Sequence, residues 1–458
     1  MTSRIKTVLI SLLALLLLPG IAWAGDAPAI DTGDTTFIII CTAMVMIMTP
    51  GLALFYGGMV RKKNVLSTIM LSFIVICVVS ILWALYGYTL AFGPDINSII
   101  GGLDYLGLKG VGQEPGSGTI PHFIFMAFQL MFALITVAII SGSIAERMRF
   151  PAFLAFIVLW ASVVYSPLCH WVWGGGWLMQ LGALDFAGGT VVHISSGVAG
   201  LVAALVIGKR KGYGSEPMVP HNLPMTVLGA TLLWFGWFGF NAGSALAANG
   251  LAASAFAVTH IAAAAGGLSW VLAEWAHHGK PTVLGCVSGA VAGLVAITPA
   301  AGFVAPMPAI LIGLVVGPLC YFAVAVVKSK LGYDDSLDAF GIHGVGGTWG
   351  AIATGLFASK AVNEAGADGL FYGNAAQLVT QLIGVGATIL FAGLATFIIL
   401  KVISLFTSLR VSVDDEVIGL DVSVHGENAY AYADTFGGSL TREVKVSSSA
   451  SSSVVKTV

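Results

Sequence analysis

The sequence predicts an all-α integral membrane protein with eleven transmembrane helices. Three observations predict it. The chain is 57% hydrophobic. Only 9% of it is charged, against roughly a quarter in soluble domains. Its apolar residues fall into runs long enough to cross a bilayer, at about 20 residues per crossing. The 58 glycines suit helices that pack closely. With a net charge of −2 and no basic stripe, nothing points to nucleic-acid binding.

Residues 1–24 read as a secretory signal peptide. Arg4 and Lys6 precede an apolar core, and Ala22-Trp23-Ala24 supplies an A-x-A cleavage site. An uncleaved first helix is the alternative. Cleavage would leave the mature N-terminus outside the cytoplasm. Residues 25–407 read as an eleven-span transmembrane domain. Its apolar runs lie near 35–60, 65–92, 121–145, 150–169, 188–208, 222–245, 250–275, 281–300, 306–327, 339–358 and 376–407. Runs 1, 2 and 11 are long, which predicts tilt or extension past the bilayer. From Ser408 the composition turns mixed, and residues 408–458 read as a polar tail beyond the last span. Its serine-rich end reads as disordered. The scattered cysteines, Cys41, Cys77, Cys169, Cys286 and Cys320, read as small buried hydrophobes.

Charge sets the orientation. The odd-to-even loops carry Arg61, Lys62, Lys63, Arg147, Arg149, Lys209, Arg210, Lys211, Lys280, Lys328 and Lys330. The even-to-odd loops carry only Lys109 and Lys360. The positive-inside rule puts the former in the cytoplasm. That agrees with a cleaved signal, an outer N-terminus and a cytoplasmic C-terminus.

Ionisable residues inside spans are costly and usually functional. Span 5 carries His193, span 10 carries His343 and span 7 carries His260. His193 and His343 share a setting: each sits a few residues into its helix, after an acid at the helix start (Asp185 or Asp338) and before small residues. Five spans separate them and their helices start on opposite sides. An inverted repeat of spans 1–5 and 6–10 leaves that pattern. The pair reads as a shared pore feature, whereas His260, with no counterpart, reads as a neutral imidazole bonded to a neighbouring helix. The two aspartates read as acceptors for free helix-start N–H groups. Two histidines without cysteine or carboxylate company make no zinc site, and no cofactor or enzymatic triad is expected.

Aromatics form a second constellation in HWVWGGGW (170–177), WFGWFGFNAGS (234–244) and AFQLMF (127–132). Trp and Tyr at interfaces usually form the aromatic belt. Phenylalanines beside glycines and a serine can instead hold a small cation without a carboxylate.

These stretches, together with GLALFYGGMVRKKN (51–64), AERMRFPAF (145–153), GALDFAGGTVVHISSGVAGL (182–201), DAFGIHGVGGTWGAIATGLF (338–357) and the tail piece GLDVSVHGENAY (419–430), resemble the ammonium transporter family, Amt/Mep/Rh, in its bacterial Amt branch. The resemblance implies a homotrimer in the bacterial inner membrane, with a pore within each subunit and a five-plus-five inverted repeat. It implies an outer ammonium site of Trp173, Ser244 and Phe132. It makes Phe132 and Phe240 stacked gate residues, and His193 and His343 hydrogen-bonded pore residues. Asp185 becomes a structural acid, with Trp237 and Thr298 near the pore. The tail would dock a trimeric PII signalling protein. Counting alone puts His193 near the outer end of its span and His343 near the inner end of its own, too far apart to touch; the resemblance requires both helices to begin well inside the membrane.

The expected function is ammonium transport: capture of ammonium outside, deprotonation, and passage of ammonia past the histidines. Whether the proton follows separately stays open. Alternatives are an ammonium sensor that transports little and a Rh-like channel for neutral gas. Sensors tend to carry an added signalling domain, and Trp173 with Ser244 argues against the gas channel. A potassium channel is disfavoured by the lack of a TVGYG-type filter.

Overall fold

The computed structural model describes residues 29–430. The expected signal peptide and the serine-rich end lie outside the described residues. Each of the eleven apolar runs is helical. They are α1 (Thr32–Met59), α2 (Lys62–Phe92), α3 (His122–Ile144), α4 (Phe150–Gln180), α5 (Gly189–Ile207), α6 (Leu223–Gly243), α7 (Gly250–His278), α8 (Val283–Ile297), α9 (Pro306–Leu331), α10 (340–357) and α11 (Ala375–Ser404). Among the described residues, nine are long and apolar enough to cross a membrane. The other two are α8, only 15 residues long, and α10, whose apolar run is diluted by glycines and His343.

The long segments are not only α1, α2 and α11. α4 has 31 residues and α7 has 29. The HWVWGGGW stretch, expected just outside span 4, is the end of α4 itself. The helix runs through Trp173, breaks at Gly174–Gly176, and makes one more turn over Trp177–Gln180.

α1 packs on α6, and α7, α8 and α9 form one group. α5 lies between α3 and α11, and α10 packs on α5, α8 and α11. Single π-helical turns interrupt α2, α4 and α9 and open both α5 (Gly189–Ile194) and α10 (Phe340–Gly344). Such turns are rare and concentrate at functional sites, because the extra residue re-aims the side chains around it.

One end of the bundle gathers the odd-to-even loops and the tail. Glu146 pairs with Arg61 and Arg210, and Arg210 also pairs with Asp334. The tail folds into two short helices, α12 (Val413–Ile418) and α13 (Leu420–His425). Lys63 Nζ donates to the Glu416 and Val417 carbonyl oxygens at 2.9 and 2.7 Å, closing the end of α12. The Asp421 carboxylate accepts the Ser67 N–H at 2.8 Å at the start of the transmembrane part of α2. Burial opposes ionisation of Glu146 and Asp334. The arginines outweigh it and hold both carboxyls below their ordinary values, Arg210 and Arg61 for Glu146, Arg210 and Arg147 for Asp334.

The other end carries two small antiparallel hairpins, β1 (Asp95–Ile96) with β2 (Ile100–Gly101), and β3 (Pro115–Ser117) with β4 (Ile120–Pro121). Of the cysteines, Cys41, Cys169 and Cys320 are buried as expected, but Cys77 and Cys286 are exposed on the surface of the chain.

Candidate functional site

The site is built on the starts of α5 and α10. Before α5 the backbone turns through Gly188 at φ +113°, a left-handed conformation that a side chain rarely adopts. The turn aims the first N–H groups of α5 at Asp185. Its carboxylate accepts from the backbone of Gly188, Gly189 and Thr190 at 2.7, 2.6 and 2.7 Å, and from the Thr190 hydroxyl. These are the orphan donors that every helix start must satisfy, so the capping role expected for Asp185 is what the geometry gives.

The matching acid at α10 is not the expected Asp338. Asp335 accepts the Phe340 N–H at 2.8 Å, while Asp338 pairs with Lys328 at 2.6 Å. Asp338 instead occupies the left-handed position, at φ +61°, and so matches Gly188. The spacing carries the same message. Asp335 stands eight residues before His343, as Asp185 does before His193.

The histidines meet. His193 Nδ1 and His343 Nδ1 are 3.2 Å apart, with the rings 5.2 Å between centroids and 23° between planes. The distance argument from counting fails because α5 and α10 run antiparallel and overlap over their first turns. Gly197 sits against the backbone of Gly344, and Gly347 sits against His193 and the Gly189 carbonyl; a Cβ at either would collide. Both helices therefore begin inside the molecule, and a residue one turn into each reaches the same level. Only one of the facing nitrogens can carry a hydrogen in such a contact, so one ring donates and the other accepts.

Aromatic rings fix the column above. The His193 ring stacks on Trp237 at 5.3 Å. Trp237 Nε1 donates to Thr298 Oγ1 at 2.8 Å, and that hydroxyl donates to the Leu294 carbonyl at 2.8 Å. Phe240 lies 6.2 Å from His193. Phe132 stacks on Phe240 at 4.2 Å and 30°, and Trp173 meets Phe132 edge-on at 5.8 Å. Both phenylalanines are fully buried. Trp173 Nε1 donates to the Asp185 carbonyl at 2.8 Å, and Ser244 Oγ donates to the Phe240 carbonyl at 2.9 Å.

Phe132, Trp173 and Ser244 line a cavity of about 290 Å³ at the hairpin end, together with Phe125 and Gln129. Beyond the histidines, on the side of the charged loops, Leu337, Asp338 and Ile342 border a second cavity of about 180 Å³. The order is thus cavity, stacked phenylalanines, paired histidines, cavity. Every sequence-predicted site residue lies on or against this column. Two residues that sequence reasoning passed over belong beside them: Asp335, which the eight-residue spacing could have found, and Gln129, three residues before Phe132 and so on the same helix face.

His260 stands apart. It is exposed on the chain surface, with its ring tilted against Trp234 at 5.3 Å and Phe238 at 6.1 Å. Its neighbours are therefore aromatic rings, not the interhelical hydrogen bond expected for it. It lines an apolar cavity of about 400 Å³ on α6–α8, apart from the histidine pair and the stacked phenylalanines. Among the described residues no group of three or more His, Cys, Asp or Glu is placed to hold a metal.

Comparison with known proteins agrees with this arrangement. The family model described as "Ammonium Transporter Family" matches residues 36–430. An ammonium transporter of Bacillus subtilis (strain 168) is 63% identical over 401 residues, covering 87% of this chain and 98% of that protein. The crystal structure of Candida albicans Mep2 superposes with a TM-score of 0.80 at 38% identity, covering 84% of this chain and 88% of the other. A structure titled "Sensor Amt Protein" gives 0.80 at 30% identity over 86% and 98%. With the family model matched over residues 36–430, the chain belongs to the ammonium transporter family.

Proposed function

We propose that the chain is an ammonium transporter that captures the cation at the hairpin end and passes ammonia through the column. One observation carries the reading. Between the two cavities the path is bounded by aromatic faces and two mutually bonded imidazoles, and the carboxylate nearest them, Asp185, is fully engaged by α5. Such a path holds a small cation at its mouth by cation–π contact and oxygen acceptors. It then makes passage of a bare ion expensive. Ammonium can shed a proton, and sodium and potassium cannot. Trp173, Ser244 and Phe132 form the capture site. Phe132 and Phe240 form a gate that must rotate. His193 and His343 guide ammonia, and each imidazole can both donate and accept a proton.

The eleven-span, five-plus-five repeat belongs to the same proposal. It is supported by the matched starts of α5 and α10, by the π turns in both α4 and α9, and by packing of α5 on α3 as α10 packs on α8. The charged-loop face is assigned to the cytoplasm by the positive-inside rule, and the hairpin face to the outside of a bacterial inner membrane. Residues 1–24 remain a proposed signal peptide, 25–407 the transport domain and 408–458 the regulatory tail. The homotrimer, the Amt-branch assignment and docking of a PII protein on the tail rest on the family resemblance.

The test is current from the purified protein in liposomes. Ammonium pulses give a saturable, inward, potassium-insensitive response, or, if transport is electroneutral, a lumenal pH change without current. A protein that binds ammonium but gives neither response supports the sensor reading, which the likeness to the sensor Amt structure favours.

A further inference from the structure

The two cavities of the column have different walls. No carboxylate borders the outer one. Two border the inner one, on the side of the charged loops: Glu274 of α7 and Asp338. Glu274 accepts the N–H and the hydroxyl of Thr282 at 3.0 Å each, which ties it to the start of α8 and leaves its charge in place. Asp338 Oδ1 accepts from Lys328 Nζ at 2.6 Å, and its second oxygen has no hydrogen bond among the described residues. Among those residues Lys328 is the one cation paired with either acid. The Tyr321 hydroxyl, on the same wall, is bonded to His277 Nδ1 at 2.7 Å.

Ser288 of α8 is the exception on this wall. It borders the cavity and is only 7% exposed. Serine hydroxyls inside helices commonly bond the carbonyl one turn back, as Ser195 and Ser196 do. The Ser288 hydroxyl makes no hydrogen bond among the described residues, yet it is not sealed off from water as those of Ser143 and Ser423 are. Its oxygen is left for whatever enters the cavity. The space of about 180 Å³ takes several waters at about 30 Å³ each, so an ammonium ion fits with part of its water shell. A wet cavity with more carboxylate than lysine favours the charged form of its occupant. The dry stretch at the phenylalanines and histidines favours the neutral one.

We propose that the inner cavity is a second ammonium site, open to the charged-loop face. Ser288 Oγ and the free oxygen of Asp338 accept N–H groups of the cation, and Glu274 attracts it at longer range. The assignment rests on the transport reading above and adds to it a site that ammonium fills from the cytoplasmic side. A cation held there stands in the way out beside Ile342, so release slows as ammonium accumulates on that side. The two mouths thus hold the same ion by different means, aromatic faces outside and carboxylate with hydroxyl inside.

The experiment uses membrane vesicles holding the full chain, prepared right-side-out and inside-out in potassium-free buffer. The initial lumenal pH change is recorded against the ammonium concentration in the bath. In inside-out vesicles the bath meets the inner cavity first. There Ser288→Ala raises the half-saturation concentration about tenfold, equivalent to about 1.4 kcal/mol, and Asp338→Asn raises it further. In right-side-out vesicles both variants leave half-saturation unchanged within twofold. Half-saturation unchanged in inside-out vesicles, or raised equally in both orientations, overturns the assignment. So does a wild-type response that fails to saturate from the inner side. A wild-type protein without any response in either orientation overturns the transport reading instead, so the two failures are distinguishable. Should Ser288→Ala fail to assemble, Asp338→Asn decides alone by the same comparison of the two orientations.

Discussion

The starts of α5 and α10 use one backbone device in two chemical settings. Each has an acid eight residues before its histidine, a left-handed residue five before it, a π-helical first turn, and a small residue four after it that admits the other helix. At α5 the left-handed residue is Gly188, and Asp185 accepts at least three backbone N–H groups and a hydroxyl. At α10 the left-handed residue is Asp338, tied to Lys328, and Asp335 accepts one N–H. Its second oxygen is buried without a partner. The geometry that brings the histidines together is thus held by concentrated hydrogen bonding on one side and shared with an ion pair on the other. α5 should tolerate loss of its acid far less than α10.

Replacing each acid in turn tests this. Asp185→Ala strands several buried donors at once, each costing about 1–3 kcal/mol; a loss of at least about 3 kcal/mol, or failure to assemble, is expected. Asp335→Ala removes one N–H bond and an unsatisfied buried oxygen together, so its cost should be about 1 kcal/mol or less. Thermal unfolding in detergent measures both, and equal losses would break the comparison.

The left-handed residues give a smaller contrast. A Cβ on Gly188 would lie 2.5 Å from Val192 Cγ2 and 3.3 Å from the Trp173 ring. Gly188→Ala should therefore destabilise by about 1–3 kcal/mol and also weaken ammonium capture. Asp338→Gly relieves a strained backbone worth about 1–2 kcal/mol but surrenders the Lys328 pair, so the net change in unfolding temperature should be near zero.

The smallest effect concerns pH. The loop into α10 is pinned through Asp334 to Arg210, and Arg210 to Glu146, whereas the loop into α5 has no part in that network. Both carboxyls are held below their ordinary values in the fold. The stability they contribute is therefore full above the ordinary carboxylate range and is lost as pH falls through their lowered values. Hydrogen exchange in residues 332–338 should accelerate on strong acidification, with little change at 183–189, and neither should respond between pH 6 and 8. Equal acceleration in both loops would contradict the assignment.

Much of this was legible in the sequence, for physical reasons that differ by residue. The helices were legible because a crossing demands a long apolar run. Their precise ends were not, since Trp173 and the three glycines after it read equally as loop. The histidine pair was legible as a symmetric pattern, but its contact was not, because helix depth is set by Gly197 and Gly347 meeting another backbone. Asp338 lies nearer the start of α10 than Asp335 does, and only the fold shows that a left-handed turn carries it away toward Lys328. Docking of the tail joins residues about 350 apart, such as Lys63 and Glu416, and no local pattern encodes that.

The central claim is that the paired imidazoles, not a fixed charge, make the column selective for a molecule that can shed a proton. The direct measurement is the double variant His193→Ala with His343→Ala in liposomes, with ammonium and potassium responses recorded on the same preparation. The account predicts that the ammonium response falls at least tenfold or that potassium becomes permeant. Unchanged ammonium response together with unchanged selectivity would contradict it.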